Sequence, residues 1–256
     1  MCRRYRLRVL TTLLDGRVFA ERTGDAAPTV LALHGWGRTR ADLLPVVKGH
    51  AALVPDLPGF GSSPAPERPW GSRDYAELLA PLLGDGTAWT VLGHSFGGRV
   101  AVQLAALRPD LVQRVVLTGV PLLRRQQQAR SPLAYRLARE LHRRGALPEA
   151  VLDRARQRYG SQDYRAASGV MRDTLVRLVN EDYADVLPRL HMPVDLVWGA
   201  HDDAAPLEMA GRALDLLPAG TLQQSDTSGH LLDAGLVDLL RTRLAAPARP
   251  GAATPA

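Results

Sequence analysis

An apolar strand pattern that runs straight into a serine flanked by glycines restricts this chain more than any other feature. Trp89-Thr90-Val91-Leu92 leads without a break into Gly93-His94-Ser95-Phe96-Gly97-Gly98, and a helical pattern follows from Arg99 to Ala105. A G-x-S-x-G turn between a strand and a helix lifts the serine above the end of a sheet. The serine there sits in a strained backbone conformation, and side chains at 93 or 97 would collide with the neighbouring strand and helix. The following helix points its N-terminus at the serine, where its positive end favours developing negative charge. Ser95 is therefore the candidate nucleophile.

A serine hydroxyl is a poor nucleophile at neutral pH and needs a base, itself held by a third group. Of the seven histidines, His34 and His94 lie inside glycine-rich motifs, and His50 and His191 sit on connections. His142 falls in a helical stretch and His201 neighbours the acid candidates. His230 precedes the last helical pattern, which is the base's place in the chain order Ser…Asp/Glu…His. The acid should follow an apolar strand, and Val194-Asp195-Leu196-Val197-Trp198-Gly199-Ala200-His201-Asp202-Asp203 supplies two adjacent carboxylates. Spacing from Gly199 and Pro206 favours Asp202, with Asp203 as the rival. Thr118-Gly119-Val120, the other strand end suited to an acid, carries no carboxylate. A metal reading of His201-Asp202-Asp203 lacks further ligands, so no metal site is expected. In Leu33-His34-Gly35-Trp36-Gly37, flanking glycines let the Trp36 N–H approach a substrate oxygen. Paired with the Phe96 N–H, it would make an oxyanion hole. His34 is expected to hold that loop by hydrogen bonding.

The rest of the chain reads as an α/β fold with a mostly parallel sheet. Residues 5–14 and 17–22 read as strands joined at Asp15-Gly16, a strong hairpin dipeptide. Runs at 29–33, 51–55, 89–92, 115–118 and 194–198 have the unbroken apolar character of strands buried on both faces. Helical patterns lie near 41–48, 73–83, 96–107, 207–217 and 232–244, and this alternation predicts helices on both faces, with the hairpin at one edge. Residues 121–190 break the pattern, offering only helices near 131–144, 148–159 and 166–182. So long a connection reads as an inserted helical cap over a core of 1–120 and 191–244. Residues 245–256, rich in Ala, Pro and Gly, read as a disordered tail.

Composition excludes several classes. The formal charge is +6, and of the 32 basic residues only Lys48 is a lysine. Aromatics make up 5% of the chain and do not interleave with a basic tract, which argues against nucleic-acid binding. A single cysteine, Cys2, permits no internal disulfide. No run reaches the roughly 20 apolar residues of a membrane span. The basic start, Met1 to Arg8, is followed by too short an apolar core for a signal peptide. A soluble, cytoplasmic protein is expected.

These motifs resemble the α/β-hydrolase superfamily over nearly the whole chain, and Asp56-Leu57-Pro58-Gly59-Phe60-Gly61-Ser62-Ser63 is similar to the family's strand-end loop beside the active site. The resemblance implies an eight-stranded sheet, an inserted cap and no cofactor. Relatives with dehalogenase or epoxide hydrolase activity carry Asp at the elbow, and Ser95 argues against both. Capped carboxylesterases and the carbon–carbon bond hydrolases of aromatic degradation look closest. The expectation is ester hydrolysis through an acyl-enzyme on a small-molecule substrate, with carbon–carbon cleavage or a slow-turnover ligand receptor as alternatives. The segments around His34 and Asp56 also resemble pimeloyl-acyl-carrier-protein methyl ester esterases, which bind an acidic carrier on a basic cap. Residues 121–190 hold 14 Arg against 8 acidic residues, and Arg136, Arg139 and Arg143 are spaced to share a helix face.

Overall fold

Five short apolar runs become the centre of an eight-stranded sheet. The computed structural model describes residues 10–84, 86–124, 140–148, 150–154 and 162–247. Its strands are β1 (Leu10–Leu13), β2 (Val18–Thr23), β3 (Val30–Leu33), β4 (Ala52–Asp56), β5 (Trp89–His94), β6 (Val112–Thr118), β7 (Val194–Gly199) and β8 (Gly220–Ser225). They lie side by side in the order β1-β2-β4-β3-β5-β6-β7-β8. Pairings from β4 across to β8 are parallel, while β2 runs antiparallel to both β1 and β4. The connection Leu14–Arg17 is closed by the Arg17 N–H on the Leu14 carbonyl at 3.2 Å and has positive φ at Leu14, Asp15 and Gly16, 52°, 56° and 83°, the central pair having the backbone that suits the twist of a hairpin.

Alternate residues of each strand feed opposite cores. Leu31, Leu33, Val91, Leu117 and Leu196 pack under α1 (Ser72–Leu79), α2 (Phe96–Leu107) and a later helix at Leu207–Leu214, through Tyr75, Leu79, Val100, Leu104 and Met209. Val30, Ala32, Val116 and Val197 face the other way, against Leu43, Val46 and Val47 and against Leu236, Leu240 and Leu244 of the helix Ala234–Ala245. Between β6 and β7 the described residues hold no strand, only helical turns at 140–143 and 150–154, α3 (Gln162–Ala166), α4 (Gly169–Val179) and a 3-10 turn at Leu187–Arg189. The two later helices are accordingly α5 (Leu207–Leu214) and α6 (Ala234–Ala245).

Several expectations shift. Residues 41–48 do not form a helix; a single 3-10 turn at Arg40–Asp42 gives way to successive turns, because Pro45 has no N–H to donate and its ring crowds the preceding turn. Pro81 likewise converts the end of the 73–83 pattern into a 3-10 turn at Ala80–Leu83. Strand β8 is absent from the apolar runs because it is a sheet edge, with Gln223 and Gln224 exposed. The expected tail starts within α6: Ala245 is its last residue, and the Ala246 carbonyl accepts a bond from Arg114. Residues 248–256 lie outside the described residues, as do 5–9 of the first expected strand and residues 131–139 and 155–159 of the expected helices.

One buried ionic network locks α6 to the sheet. Arg114 on β6 and Asp195 on β7, 3% and 2% exposed, pair at 2.7 Å. Arg114 also donates to the carbonyls of Arg243 and Ala246, each at 2.7 Å. Asp195 accepts from Thr221 at 2.7 Å and from Arg243. Burial alone would raise the Asp195 carboxyl, but bonds from Arg243, Thr221 and Arg114 outweigh it and hold it below its ordinary 3.8. A carboxyl depressed in the folded state contributes stability above its unfolded value, and that contribution vanishes as the pH falls through the folded value. Asp195→Asn, which leaves a buried guanidinium short of its anion, should lower unfolding free energy at pH 7 by about 3–5 kcal/mol in urea titrations. The gap to the parent protein should start to narrow as the pH falls below 3.8 and close below the depressed folded value. A loss under about 0.5 kcal/mol, the range of neutral surface substitutions, would contradict this account.

Candidate active site

The strand-to-helix turn after β5 forces Ser95 to φ 51° and ψ −114°, a conformation rarely held by a residue with a side chain. The Ser95 N–H donates to the Thr118 carbonyl at 2.9 Å, pinning the turn to β6. A Cβ on Gly97 would overlap the Leu33 carbonyl, and one on Gly93 would overlap the backbone of Gly98. Close backbone approach, rather than flexibility, is what glycine supplies here.

Two loops from the far side of the chain meet this serine. The His230 Nε2 lies 3.1 Å from the Ser95 Oγ, and its Nδ1–H faces both Asp202 oxygens at 3.0 and 2.9 Å. The Asp202 side chain is 1% exposed and that of His230 25%, so the carboxylate is sealed and the imidazole can meet solvent. Asp202 is aimed by the N–H groups of Ala204 and Ala205, which donate to its Oδ1 at 2.9 and 2.7 Å. Asp203 is exposed on the same loop. Of the two carboxylates, only Asp202 is hydrogen-bonded to His230 among the described residues.

Phe96 is the first residue of α2, so its N–H belongs to the turn of donors that a helix leaves without internal partners. The Gly35-Trp36 loop borders the serine: a Cβ on Gly35 would stand 3.4 Å from the Ser95 Cβ. Phe96 follows Ser95 directly and Trp36 follows Gly35, and their rings meet edge to face at 5.6 Å. His34, fully buried, ties the loop down as expected. Its Nδ1–H donates to the Gly35 carbonyl at 2.8 Å, and its Nε2 accepts the Leu57 N–H at 2.9 Å. Burial pushes its pKa down, and this pairing suits the neutral ring.

The Asp56–Ser63 loop is built around a buried carboxylate. Asp56, fully buried, accepts from the N–H groups of Arg40 and Ser62 at 2.8 and 2.9 Å and from the Arg40 guanidinium. That holds Phe60 against the rings of Trp36 and Phe96, at centroid separations of 4.8 and 5.8 Å, in an aromatic wall beside Ser95. Segment 169–183 docks over the same region. Thr174 accepts the Trp70 N–H at 3.1 Å, and Glu181 accepts the Ser72 N–H at 2.9 Å at the start of α1. Arg99 on α2 donates to the Leu178 carbonyl and lies over the Tyr183 ring at 5.9 Å. Of the arginines expected to share a face, Arg136 and Arg139 lie outside the described residues. Arg143 is ion-paired with Glu140 at 2.6 Å, and Arg144 joins it at 2.7 Å.

Sequence reasoning passed over His94. Its ring is 2% exposed, and its Nε2–H donates to the main-chain carbonyl of His230 at 2.9 Å. Nothing but its place beside Ser95 hinted at this. Among the described residues no group of three or more His, Cys, Asp or Glu is placed to hold a metal ion, and no helix is long and apolar enough to cross a membrane.

Residues 30–246 match the model of the alpha/beta hydrolase family. The chain is 32% identical over 241 residues to the magnesium-chelatase 30 kDa subunit of Rhodobacter capsulatus, a match spanning 82% of this chain and 83% of that one. It is 30% identical over 231 residues to the pimeloyl-[acyl-carrier protein] methyl ester esterase of Aromatoleum aromaticum, spanning 79% and 91%. Among solved structures, an esterase from Mycobacterium tuberculosis superposes with a TM-score of 0.62 at 24% identity, covering 93% of this chain and 91% of that one.

The steric account of the elbow separates two glycines that both lie in helices. Gly97→Ala should destabilise the protein by about 1–3 kcal/mol, since the Leu33–His34 backbone blocks the new methyl. Gly211→Ala in α5, where nothing lies within 4 Å of a Cβ, should stabilise it by up to about 1 kcal/mol. Thermal unfolding of the two variants measures both, and equal shifts would refute the packing argument.

Proposed function

Because the chain belongs to the alpha/beta hydrolase family, we propose that it hydrolyses carboxylic esters through an acyl-enzyme on Ser95. One observation carries this reading: the unbroken hydrogen-bonded line from Ser95 through His230 to a sealed, doubly braced Asp202. In the proposed reaction Ser95 Oγ attacks the ester carbonyl as His230 Nε2 takes its proton. The tetrahedral oxyanion rests on the Trp36 and Phe96 N–H groups, worth a few kcal/mol of barrier each (about 3–4 by analogy with single-donor removals). Collapse breaks the C–O bond, and His230 returns the proton to the departing alcohol. Water, deprotonated by His230, then attacks the acyl carbonyl and frees Ser95. Asp202 holds His230 in the tautomer with Nδ1–H and balances the imidazolium that forms.

The aromatic wall of Trp36, Phe60 and Phe96 favours an apolar group beside the scissile bond. Residues 121–190 act in this reading as a cap that shapes the substrate pocket. The Aromatoleum relative is named for a carrier-bound methyl ester. With 14 Arg against 8 acidic residues, the cap offers a charge that an acidic acyl carrier would complement.

Ser95→Ala should abolish turnover of p-nitrophenyl esters without altering the fold by circular dichroism; persistent turnover would remove Ser95 from the chemistry. Asp202→Asn should lower kcat by about 10⁴-fold, because the base then loses its tautomer, whereas Asp203→Asn should change it little. The opposite ranking would exchange their roles. Faster cleavage of a dienoate ring-fission product than of any short ester would move the bond from C–O to C–C.

A further inference from the structure

The residue before the nucleophile makes a contact that core packing does not account for. His94 ends β5 on the sheet face that also carries Leu92, so one rigid strand end supports both Ser95 and the His94 ring. That ring lies beneath the Gly35-Trp36 loop, where a Cβ on Gly35 would stand 3.0 Å from its Nδ1. Nδ1 is buried and has no hydrogen-bond partner among the described residues. An unpaired buried nitrogen weakens a fold, and an apolar side chain of similar size would avoid that penalty. What an apolar side chain would not supply is the Nε2–H.

That donor meets the base loop at its main chain. His230 sits in irregular structure between β8 and α6. The other main-chain and hydroxyl bonds of this loop fall on either side of residue 230: the His201 N–H donates to the Ser228 carbonyl at 3.0 Å, the Ser228 hydroxyl to Asp233 at 2.8 Å, and the Asp233 N–H to the Leu231 carbonyl at 2.9 Å. Among the described residues the bond from His94 is the one that reaches the main chain of residue 230, across 136 positions of sequence, while Asp202 and Ser95 hold only its ring.

We propose that His94 is a positioning residue, whose Nε2–H grips the main-chain carbonyl of His230 and keeps the base in line with Ser95. The inference rests on the reading of Ser95 and His230 as the reacting pair. Burial above all pushes the His94 pKa down to about 4, with the neighbouring His230 adding to the shift and their hydrogen bond opposing it. The ring is therefore neutral at working pH. It donates one proton without setting a second cation beside the imidazolium that forms on His230, whose ring centre is 5.2 Å away.

The test compares His94→Leu, His94→Gln and His94→Asn, with Ser95→Ala as control, on a p-nitrophenyl ester. His94→Leu should unfold at the same temperature as the parent or higher, keep KM within about twofold and lose about 10- to 100-fold in kcat, the effect of a base displaced by up to about 1 Å. Gln can carry an N–H toward the position of Nε2 and should recover most of that loss, whereas the shorter Asn should not. A His94→Leu kcat within threefold of the parent overturns the proposal, as does a Gln variant no faster than Asn when both are folded. If His94→Leu fails to fold, the Gln and Asn pair decides alone. Activity that survives Ser95→Ala would overturn the hydrolytic reading and this inference with it. Activity that needs Ser95 but ignores His94 would overturn the inference alone.

Discussion

The site depends on how closely backbone can approach backbone beneath Ser95. β5 turns into α2 with no loop between them, and the helix leaves so near β3 that residue 97 touches the Leu33 carbonyl. This crowding has two effects. It drives Ser95 into a conformation that lifts its hydroxyl clear of the sheet, and it brings the first turn of α2 beside the Gly35-Trp36 loop. The placement of Ser95 and that of the Phe96 and Trp36 N–H groups proposed to face it thus share one cause.

Buried polar residues then fix each remaining loop, every one satisfying backbone groups that would otherwise be stranded. His34 joins the β3 loop to Leu57, Asp56 organises the next loop around Arg40 and Ser62, and Asp202 is gripped by Ala204 and Ala205. A buried carboxylate or imidazole is expensive unless fully bonded, so each tolerates essentially one loop conformation. Rigidity at the end of the sheet comes from this set as much as from the apolar core. Far from the site, Arg114 and Asp195 do the same for the seam between the sheet and α6.

Much of this was legible in the residues. Strands β3 to β7 announce themselves because a strand covered on both faces must be apolar throughout, and the elbow because its glycines have steric reasons to be there. Ser95 and His230 follow from motif and order. Asp202 and Asp203 could be ranked by spacing but not separated, because the difference lies in which side chain the Ala204 and Ala205 N–H groups reach, a property of a folded turn. β8 escaped notice because an edge strand can afford exposed glutamines. The pattern at 41–48 misled because apolar spacing survives in a run of turns even where Pro45 forbids the helix. His94 was unreadable for another reason: its partner is a main-chain oxygen, and a carbonyl leaves no mark on a sequence.

The docking of segment 169–183 has the same character and a consequence for how such a protein diversifies. Thr174, Glu181 and Arg99 reach across the junction to the N–H of Trp70, the N–H of Ser72 and the carbonyl of Leu178. Main-chain groups like these are common to every non-proline residue, so these three bonds do not by themselves dictate a side chain at the receiving positions. Such a joint behaves as a standard coupling: the residues between its anchor points can be exchanged wholesale, by recombination or by a designer, while the machinery beneath keeps its shape.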